Sequence, residues 1–263
     1  MKLLIIENNS ERAVFYTENG IDRIFVDLEY LGKEVRQKNM DTVKSFSHKY
    51  SDVKKIKDSI KKGELLVRIN PINSNSVDEI NEVIDYGADL IMLPYFKTIK
   101  EVDFFFKTVN NSCKTILLVE TPQAFTRLPN YINFGFDELY LGLNDLHLGL
   151  GLDFMFEPLA YGLVEYFAKI ANDNNIPFGF GGLADLNEGI IPGKLILSEH
   201  VRLGSSMVIL SRTFKNNIND NNLYSTINSI RDIKNKYKNN TQTEFNNNKE
   251  LIIEKVNEYL STK

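Results

Sequence analysis

Short runs of apolar and β-branched residues recur along the chain, and stretches with amphipathic helical spacing separate them. Runs of this length and composition, bounded by turn residues, predict β-strands. The predicted strands are Leu3–Ile6, Arg23–Leu28, Leu65–Ile69, Leu90–Leu93, Thr115–Val119, Glu138–Leu141, Pro177–Phe180 and Met207–Leu210. Apolar strands that alternate with helices favour a parallel sheet. Eight such units predict an α/β fold, a closed (β/α)8 TIM barrel.

The stretches between the strands carry helix signals. After the third strand, Ser76 is a candidate N-cap, Glu79 would complete a capping box, and Gly87 would end the helix. The stretch after the fourth strand has the same apolar spacing from Ile99 to Val109. An open doubly wound sheet is the alternative fold. That fold usually carries a glycine-rich loop after its first strand, where this chain reads "IIENNSERA".

The last fifty residues differ in character from the rest. Residues 214–249 are rich in asparagine and lysine, and the segment that follows has amphipathic spacing through Leu251, Ile252, Val256 and Leu260. We therefore predict a barrel domain over residues 1–212 and a C-terminal helical extension over residues 213–263. The extension could pack on its own barrel or on a neighbouring subunit, and the second arrangement is slightly favoured.

Composition and charge narrow the range of partners. The chain has 263 residues and a formal net charge of −4, with no basic block, so nucleic acid is not an expected partner. The N-terminal apolar run is too short for a signal peptide or a membrane span, so no membrane partner is expected. Cys113 is the single cysteine, which excludes an internal disulfide and favours a reducing compartment. A cytoplasmic location is predicted.

Polar side chains stand at the ends of most predicted strands. In a barrel of this type, active sites lie at the C-terminal ends of the strands. The residues at these ends are Asp27 and Glu29, Arg68 and Asn70, Glu120, Asn144 and Asp145, and Ser211 and Arg212. The pattern therefore predicts that four acids and two arginines converge on one mouth of the barrel.

The second strand shows which way its acids point. In "RIFVDLE" the aliphatic residues alternate with Phe25, Asp27 and Glu29, so the two sets lie on opposite faces. If the aliphatic set faces the helices, both acids point into the lumen near its top. A salt bridge to Arg68 on the neighbouring strand is the structural alternative to a catalytic role.

Glu120 and Asp145 form the pair of acids with the more specific functional interpretation. They are 25 residues apart, about one βα repeat, which places them on neighbouring strand ends. Two carboxylates with an otherwise open coordination shell suit Mg²⁺ or Mn²⁺, since Mg²⁺ is usually held by one or two carboxylates and waters. The alternative is helix N-capping, because both residues precede possible helices.

Other polar features are less specific. The segment "FGFGGL" could bind an anion through its backbone or simply form a tight turn. His48 and His200 lie in stretches with helical spacing and are expected to be surface or packing residues. His147 follows Asp145 by two residues and could line the site.

At the strand ends the chain resembles the HpcH/HpaI-type aldolase and citrate lyase β-subunit family, in the phosphoenolpyruvate/pyruvate-binding barrel superfamily. The resemblance covers about residues 1–212. It rests on "GIDRIFVDLE", "LLVRINP", "YGADLIMLPYFKT", "LLVETPQA" and "LYLGLNDLHLGLG", which occur in the family's order.

The resemblance implies a Mg²⁺-dependent carbon–carbon lyase that acts through a stabilised enolate on a 2-oxo acid or an acyl thioester. Glu120 and Asp145 match the family's metal ligands, Arg68 matches the arginine that contacts a substrate oxygen, and Glu29 matches the acid near the metal's water shell. Further substrate contacts are expected from Asn70, Pro94 and Gly142. The family tends to form trimers and hexamers, so a homo-oligomer is expected.

The chain departs from the family at Tyr30. The two best-known branches carry an acid or a histidine there, and the histidine belongs to the base machinery of the aldolases. Tyr30 could orient the substrate, the base could be a metal-bound water or His147, or the chain could belong to a third branch with another substrate. The catalytic candidates are therefore Arg68, Glu29, Tyr30, Asp27 and His147.

Two further functions stay open on the sequence. A Schiff-base aldolase would need a desolvated lysine near a strand end, and Lys97 is the candidate, although its context predicts exposure. A barrel that has lost activity and serves as a binding or assembly subunit is the non-enzymatic alternative, suggested by Tyr30 and the unusual tail.

Overall fold

The eight predicted strands form a closed parallel barrel, in the order β1 to β8 around the ring. The computed structural model describes residues 1–33 and 48–263. The strands are β1 Lys2–Ile6, β2 Arg23–Asp27, β3 Glu64–Arg68, β4 Leu90–Leu93, β5 Lys114–Val119, β6 Glu138–Leu141, β7 Phe178–Leu183 and β8 Met207–Leu210. The TIM-barrel prediction is confirmed, and all strand ends but one lie within one residue of the predicted ends. Strand β7 extends three residues further than predicted.

Helices cover the outside of the barrel in alternation with the strands. They are α1 Ser10–Glu18, α2 Tyr50–Ser59, α3 Ser76–Asp85, α4 Ile99–Val109, α5 Pro122–Thr126, α6 Leu128–Tyr131, α7 Leu143–Leu150, α8 Glu157–Ala160, α9 Leu163–Asp173, α10 Gly193–Leu203, α11 Arg212–Asn217, α12 Leu223–Tyr237 and α13 Gln242–Ser261. Among the described residues, no helix combines the length and apolar character that a membrane crossing requires.

Two apolar layers make the core, one inside the barrel and one between the barrel and its helices. The lumen layer consists of Leu4, Phe25, Leu66, Leu90, Met92, Ile116, Leu118, Tyr140 and Met207. Ile24 and Val26 belong to the outer layer. The alternation predicted for β2 is therefore confirmed, since Phe25 faces the lumen, and Asp27 follows on the same face.

An ion network fills the lumen beneath the apolar layer. Arg23 is fully buried there, and its guanidinium binds Glu138 at 2.7 Å and Glu64 at 2.6 Å. Lys2 and Lys114 also donate to Glu64, each at 2.8 Å. Burial of an arginine is tolerated only when its charge is paired and hydrogen-bonded. The network therefore closes the N-terminal end of the barrel.

A short Gly-x-Asp unit precedes three of the even-numbered strands. Its glycines, Gly20, Gly87 and Gly135, have φ between +86° and +97°, which only glycine adopts readily. The aspartates that follow, Asp22, Asp89 and Asp137, accept the backbone N–H of the second residue of the preceding strand, from Leu3, Leu65 and Thr115, each at 2.8 Å. One local sequence thus turns the chain into a strand and also joins that strand to the one before it.

The predicted cap of α3 is wrong. Ser76 is the first helical residue, and its hydroxyl accepts the Asn73 N–H at 2.8 Å instead of capping the helix. Glu79 does not complete a capping box. Its carboxylate turns to Asn70 at the end of β3 and accepts both the backbone and the side-chain N–H, at 3.0 and 2.8 Å. Glu79 thus makes a tertiary contact with Asn70 in place of the predicted local contact at the start of α3.

The C-terminal helix α13 packs on its own barrel, against α8 and α10. Ile252 and Val256 are buried there, while Leu251 is exposed. An ion pair between Lys249 of α13 and Glu165 of α9 also holds α13 against the barrel. The apolar face that was expected to prefer a neighbouring subunit is thus used within the chain. The domain boundary at residue 212 and any contact with a second subunit stay predictions.

Candidate active site

A cavity of about 920 Å³ opens at the C-terminal ends of the strands. All six charged residues that the strand-end pattern predicted to converge line this cavity: Asp27, Glu29, Arg68, Glu120, Asp145 and Arg212. They come from distant parts of the sequence and meet because parallel strands end at the same rim. Their positions are therefore those of a barrel active site, while their roles stay predictions.

Asp27 and Arg68 form a two-pronged ion pair on neighbouring strands. Their Cα atoms are register partners between β2 and β3. Nε and Nη2 of Arg68 donate to the two carboxylate oxygens of Asp27 at 2.8 and 2.7 Å. Lys33 adds a third contact at 2.8 Å. The structural alternative considered for Asp27 is thus present in the structure, and the pair fixes the guanidinium at the cavity wall.

The charges of this pair are locked at neutral pH. Burial would raise the pKa of Asp27, but Arg68 and Lys33 outweigh it and hold that pKa well below its usual range. Burial would likewise lower the pKa of Arg68, but Asp27 and then Glu29 raise it well above its usual value. Asp27 is therefore an anion that positions Arg68, and is a poor proton acceptor.

Glu29 is nearly buried beside the same arginine. Its carboxylate lies 3.5 Å from Arg68 Nε and 3.9 Å from Lys33 Nζ. The next residue, Tyr30, is 67% exposed and sits at the rim of the cavity. The segment "DLEY" thus places one acid in an ion pair, one acid in the wall, and a tyrosine at the entrance.

Glu120 and Asp145 line the cavity from β5 and from the first turn of α7. Neither is an N-cap, because the N-cap residue of α5 is Thr121 and that of α7 is Gly142. The capping alternative is therefore excluded. One oxygen of Glu120 accepts the N–H of Tyr95 at 3.0 Å, which fixes the carboxylate.

Gly142 keeps space beside the Glu120 carboxylate. A Cβ at position 142 would lie 2.8 Å from Glu120 Oε2 and 2.8 Å from Glu120 Cβ, which is too close for any side chain. Glycine at position 142 therefore avoids a clash with the Glu120 side chain. Gly142 lines the cavity, and its contact with a substrate stays a prediction.

The donor set at Glu120 and Asp145 fits a loosely held oxygen-preferring cation. In the part of the chain that the structure describes, no group of three or more histidine, cysteine, aspartate or glutamate side chains forms a metal cage. Two carboxylates and a shell open to water are what Mg²⁺ or Mn²⁺ commonly uses. The residues present therefore fit such an ion.

His147 does not line the cavity, contrary to the expectation that it could supply the base. It is 5% exposed, and its Nδ1 lies 3.2 Å from the carbonyl oxygen of Leu143 in the same helix. Two residues correspond to about 200° of rotation around a helix. His147 is therefore turned away from the side of α7 on which Asp145 faces the cavity.

Asn70 and Pro94 also lie outside the lining. Asn70 is buried, and its Oδ1 accepts the backbone N–H groups of Tyr30 and Leu31, both at 3.0 Å. Since Glu79 binds its N–H groups, Asn70 holds the segment after β2 in place instead of contacting a substrate. Pro94 is buried behind the wall. Lys97 is exposed and away from the cavity.

His48 was expected in a helix, but it precedes α2 and lines the cavity. Its Nδ1 accepts the backbone N–H of Asp27 at 2.9 Å. Burial lowers the pKa of His48, so the ring is neutral at pH 7 with its proton on Nε2. No local sequence signal predicted this contact. A contribution of residues 30–64 to substrate specificity is a further prediction, and part of that segment lies outside the described residues.

Two lysines of the wall were also missed. Lys33 is described above, and Lys215 of α11 reaches back to β1. Its Nζ pairs with buried Glu7 at 2.7 Å and donates to the carbonyl oxygen of Ile6 at 3.1 Å. Glu7 directly follows the first strand, so the rule that identified the other acids could have identified it as well.

The glycine segment lies within strand β7, not in a loop after it. Gly181 has φ +56°, and the pairing with β8 shifts register between Gly179 and Gly182. The Tyr140 hydroxyl donates to the Gly181 carbonyl oxygen at 2.8 Å and stabilises this bulge from inside the barrel. Gly181 and Gly182 leave that part of the wall without side chains.

Comparison with known proteins rests on structure alone, since no family model and no curated protein matches this chain. An HpcH/HpaI aldolase from Desulfitobacterium hafniense DCB-2 matches with a TM-score of 0.61 and 16% identity, over 80% of this chain and 85% of the other. RipC from Yersinia pestis matches with a TM-score of 0.59 and 15% identity, over 93% and 97%. This chain has their fold. Both proteins fit the resemblance drawn from the strand ends, although identities this low establish the fold alone.

Proposed function

We propose that this protein is a Mg²⁺- or Mn²⁺-dependent carbon–carbon lyase that cleaves or forms a bond next to the enolate of a 2-oxo acid or an acyl thioester. The observation that carries the proposal is the meeting of Glu120, Asp145 and Arg68 in one cavity at the C-terminal rim. The shared fold with an HpcH/HpaI aldolase supports the same class of reaction.

Glu120 and Asp145 would hold the cation, and Gly142 gives the Glu120 carboxylate room that a side chain at that position would take. When bound there, the cation supplies a Lewis acid for negative charge on a substrate oxygen. The chain's own contribution is to keep both carboxylates in a wall where they are nearly buried.

Arg68 would bind the donor's carbonyl or carboxylate oxygen. Asp27 occupies Nε and Nη2, which leaves Nη1 without a hydrogen bond to any described residue. A guanidinium fixed in this way stabilises negative charge where it develops and needs little reorganisation. Asp27 is thus a positioning residue in this mechanism.

The proton acceptor of the reaction is not His147, because that ring is outside the cavity. His48 is a poor acceptor as well, since its Nδ1 lone pair already accepts the Asp27 N–H. Tyr30, at the rim, is placed to orient the substrate by a hydrogen bond. Of the two bases considered on the sequence, the one left is a water, which a cation held by Glu120 and Asp145 would activate.

A substrate screen tests the proposal. Purified protein with 5 mM Mg²⁺ or Mn²⁺ is incubated with 4-hydroxy-2-oxo acids and 3-hydroxyacyl thioesters, and the release of pyruvate or of an acetyl thioester is measured. We expect release with at least one class, abolished by EDTA and by Glu120→Gln. The matched control Asp103→Asn, on the exposed face of α4, should retain activity. Release that survives both EDTA and Glu120→Gln would overturn the proposal.

A Schiff-base aldolase is the second candidate. Among the described residues, Lys33 and Lys215 line the cavity, which Lys97 does not. However, Lys33 is ion-paired with Asp27 at 2.8 Å and Lys215 with Glu7 at 2.7 Å, whereas a Schiff base needs a lysine that is free to react. Borohydride treatment with pyruvate should therefore leave the mass of the protein unchanged, and an adduct on Lys33 would reverse this ranking.

An inactive binding or assembly barrel stays the non-enzymatic alternative. Metal occupancy separates the two: saturable binding of Mn²⁺ that Asp145→Asn abolishes supports the enzyme, and no binding at millimolar Mn²⁺ supports the alternative. Assembly into a trimer or hexamer and a cytoplasmic location also stay predictions.

A further inference from the structure

Tyr95, the second residue after β4, has an unusual backbone conformation. Its φ is +46°, in the left-handed region that residues other than glycine and asparagine rarely adopt. Among the described residues, the other non-glycine residues with positive φ are all asparagines: Asn110, Asn111 and Asn175. A tyrosine persists in such a conformation only where the surrounding structure imposes it, and such positions concentrate at functional sites.

The residues on both sides of Tyr95 hold the turn in place. Pro94 is buried, and its ring fixes its own φ at about −65°. The Phe96 ring is buried as well and packs edge-on against Tyr131, with ring centroids 5.3 Å apart. The hydroxyl of buried Thr121 donates to the Phe96 carbonyl oxygen at 2.7 Å. The turn after β4 is thus fastened to the end of β5.

This conformation directs one backbone group of Tyr95 to the candidate cation site. The Tyr95 N–H donates to Glu120 Oε1 at 3.0 Å. The side chain of Tyr95 is not among the described side chains that line the cavity, and Lys97 Nζ lies 5.1 Å from the centre of its ring. Tyr95 therefore reaches Glu120 through its backbone.

We propose that Tyr95 and Thr121 are positioning residues of the cation site, and that the left-handed backbone at Tyr95 fixes the Glu120 carboxylate in the orientation that binds the cation. Thr121 acts on the turn and Tyr95 acts on Glu120, so neither touches the cation itself. The inference rests on the proposed function, because it takes Glu120 as a cation ligand from it. Loss of a hydrogen bond to a metal-ligating side chain typically lowers metal affinity about 10–100-fold.

Calorimetric titration of the full-length protein with Mn²⁺ tests the backbone at position 95. A β-branched residue is strongly disfavoured at positive φ, whereas asparagine tolerates it. We therefore expect Tyr95→Val to weaken Mn²⁺ binding about tenfold or more, and Tyr95→Asn to stay within about threefold of the wild type. The asparagine variant keeps the backbone conformation and removes the ring, so it separates the two contributions.

Asn110→Val is the matched control for backbone strain. Asn110 is the exposed C-cap of α4, and its φ of +47° nearly equals that of Tyr95. It does not line the cavity. The substitution should lower the urea concentration at half-unfolding, as Tyr95→Val does, and leave the affinity for Mn²⁺ unchanged. Strain without a link to Glu120 would thus affect stability alone.

A second pair of variants tests the proposal even if Tyr95→Val does not fold. Thr121→Val removes the hydroxyl and keeps the shape of the side chain, whereas Thr121→Ser keeps the hydroxyl. We expect Thr121→Val to weaken Mn²⁺ binding and Thr121→Ser to bind as the wild type does. Cooperative urea unfolding of both variants shows that the fold is kept.

The outcomes separate this inference from the proposed function. If the wild type does not bind Mn²⁺, both fail. If it binds, and Tyr95→Val and Thr121→Val bind with the same affinity, the positioning role is wrong and the lyase proposal stands. Binding by Tyr95→Asn as weak as that of Tyr95→Val also overturns the role, because the ring and not the backbone would then be responsible.

Discussion

His200 shows what a single buried side chain does to stability. It is fully buried in α10 and stacks on Phe180 with ring centroids 3.9 Å apart. Its Nδ1 contacts the Ser205 hydroxyl at 2.8 Å, and Nε2 has no hydrogen-bond partner among the described residues. Burial lowers the pKa of His200 to about 3, so the ring is neutral in the folded protein.

We therefore expect the free energy of unfolding to decrease as the pH is lowered, partly because of this residue. The unfolded state gains a proton below pH 6.5, while the folded state gains it only near pH 3. The free energy of unfolding thus loses about 1.4 kcal/mol per pH unit between these values. His200→Phe removes this contribution, which urea unfolding at pH 7.0, 6.0, 5.0 and 4.5 would measure. Equal pH slopes for the variant and the wild type would contradict the assignment.

The sequence predicted the positions of some site residues correctly and missed others. Asp27, Glu120 and Asp145 were found because strand ends in a barrel share one rim. His147 was misplaced because the start of α7 sets which side of the helix faces the cavity, and a shift of two residues reverses it. His48 could not be found, since its contact with Asp27 joins residues 21 positions apart and no local sequence pattern indicates it.

Among the elements, α13 carries the clearest test of tertiary packing. Ile252 is buried against the barrel's own helices, and the adjacent Leu251 is 43% exposed. We expect Ile252→Ala to lower the free energy of unfolding by about 2–4 kcal/mol, because it leaves a cavity. The matched Leu251→Ala should change it by less than about 0.5 kcal/mol.

Denaturant unfolding at two protein concentrations measures both effects. The loss in Ile252→Ala should not depend on protein concentration, because the contact lies within one chain. A loss that appears only at low concentration would instead place this face at a subunit interface.

The elements themselves were predictable to different degrees. The strands were predicted accurately because each is a short apolar run bounded by turn residues. The Gly-x-Asp units before β2, β4 and β6 are visible in the sequence as "GID", "GAD" and "GFD", and they could have located those strand starts more sharply. The cap of α3 failed because Glu79 gains more from buried Asn70 than from the helix end.

On the scale of the whole molecule, the barrel has a closed end and an open end. The charged network around Arg23 fills the first, and the cavity with its acids and cations occupies the second. Closure of the sheet followed from the count of strands. The charged network could not be predicted from the sequence, because a buried arginine in a strand cannot be told from an exposed polar residue until its partners on other strands are known.

The closed end should respond strongly to loss of its central charge. Arg23→Met leaves Glu64 and buried Glu138 without their main partner, so we expect a loss of about 3–5 kcal/mol in unfolding free energy. The double variant Arg23→Met/Glu138→Leu should recover part of that loss. Thermal and denaturant unfolding of both variants measure this. A single variant as stable as the wild type would show that the network contributes nothing.

The open end carries the central claim, and one binding measurement tests it most directly. Calorimetric titration of the full-length protein with pyruvate is performed with and without 5 mM Mg²⁺, for the wild type, Glu120→Gln, Asp145→Asn and the control Asp103→Asn. The account predicts saturable binding only with Mg²⁺, lost in both cavity variants and kept in the control. Binding of equal strength without the metal, retained in Glu120→Gln and Asp145→Asn, would contradict it.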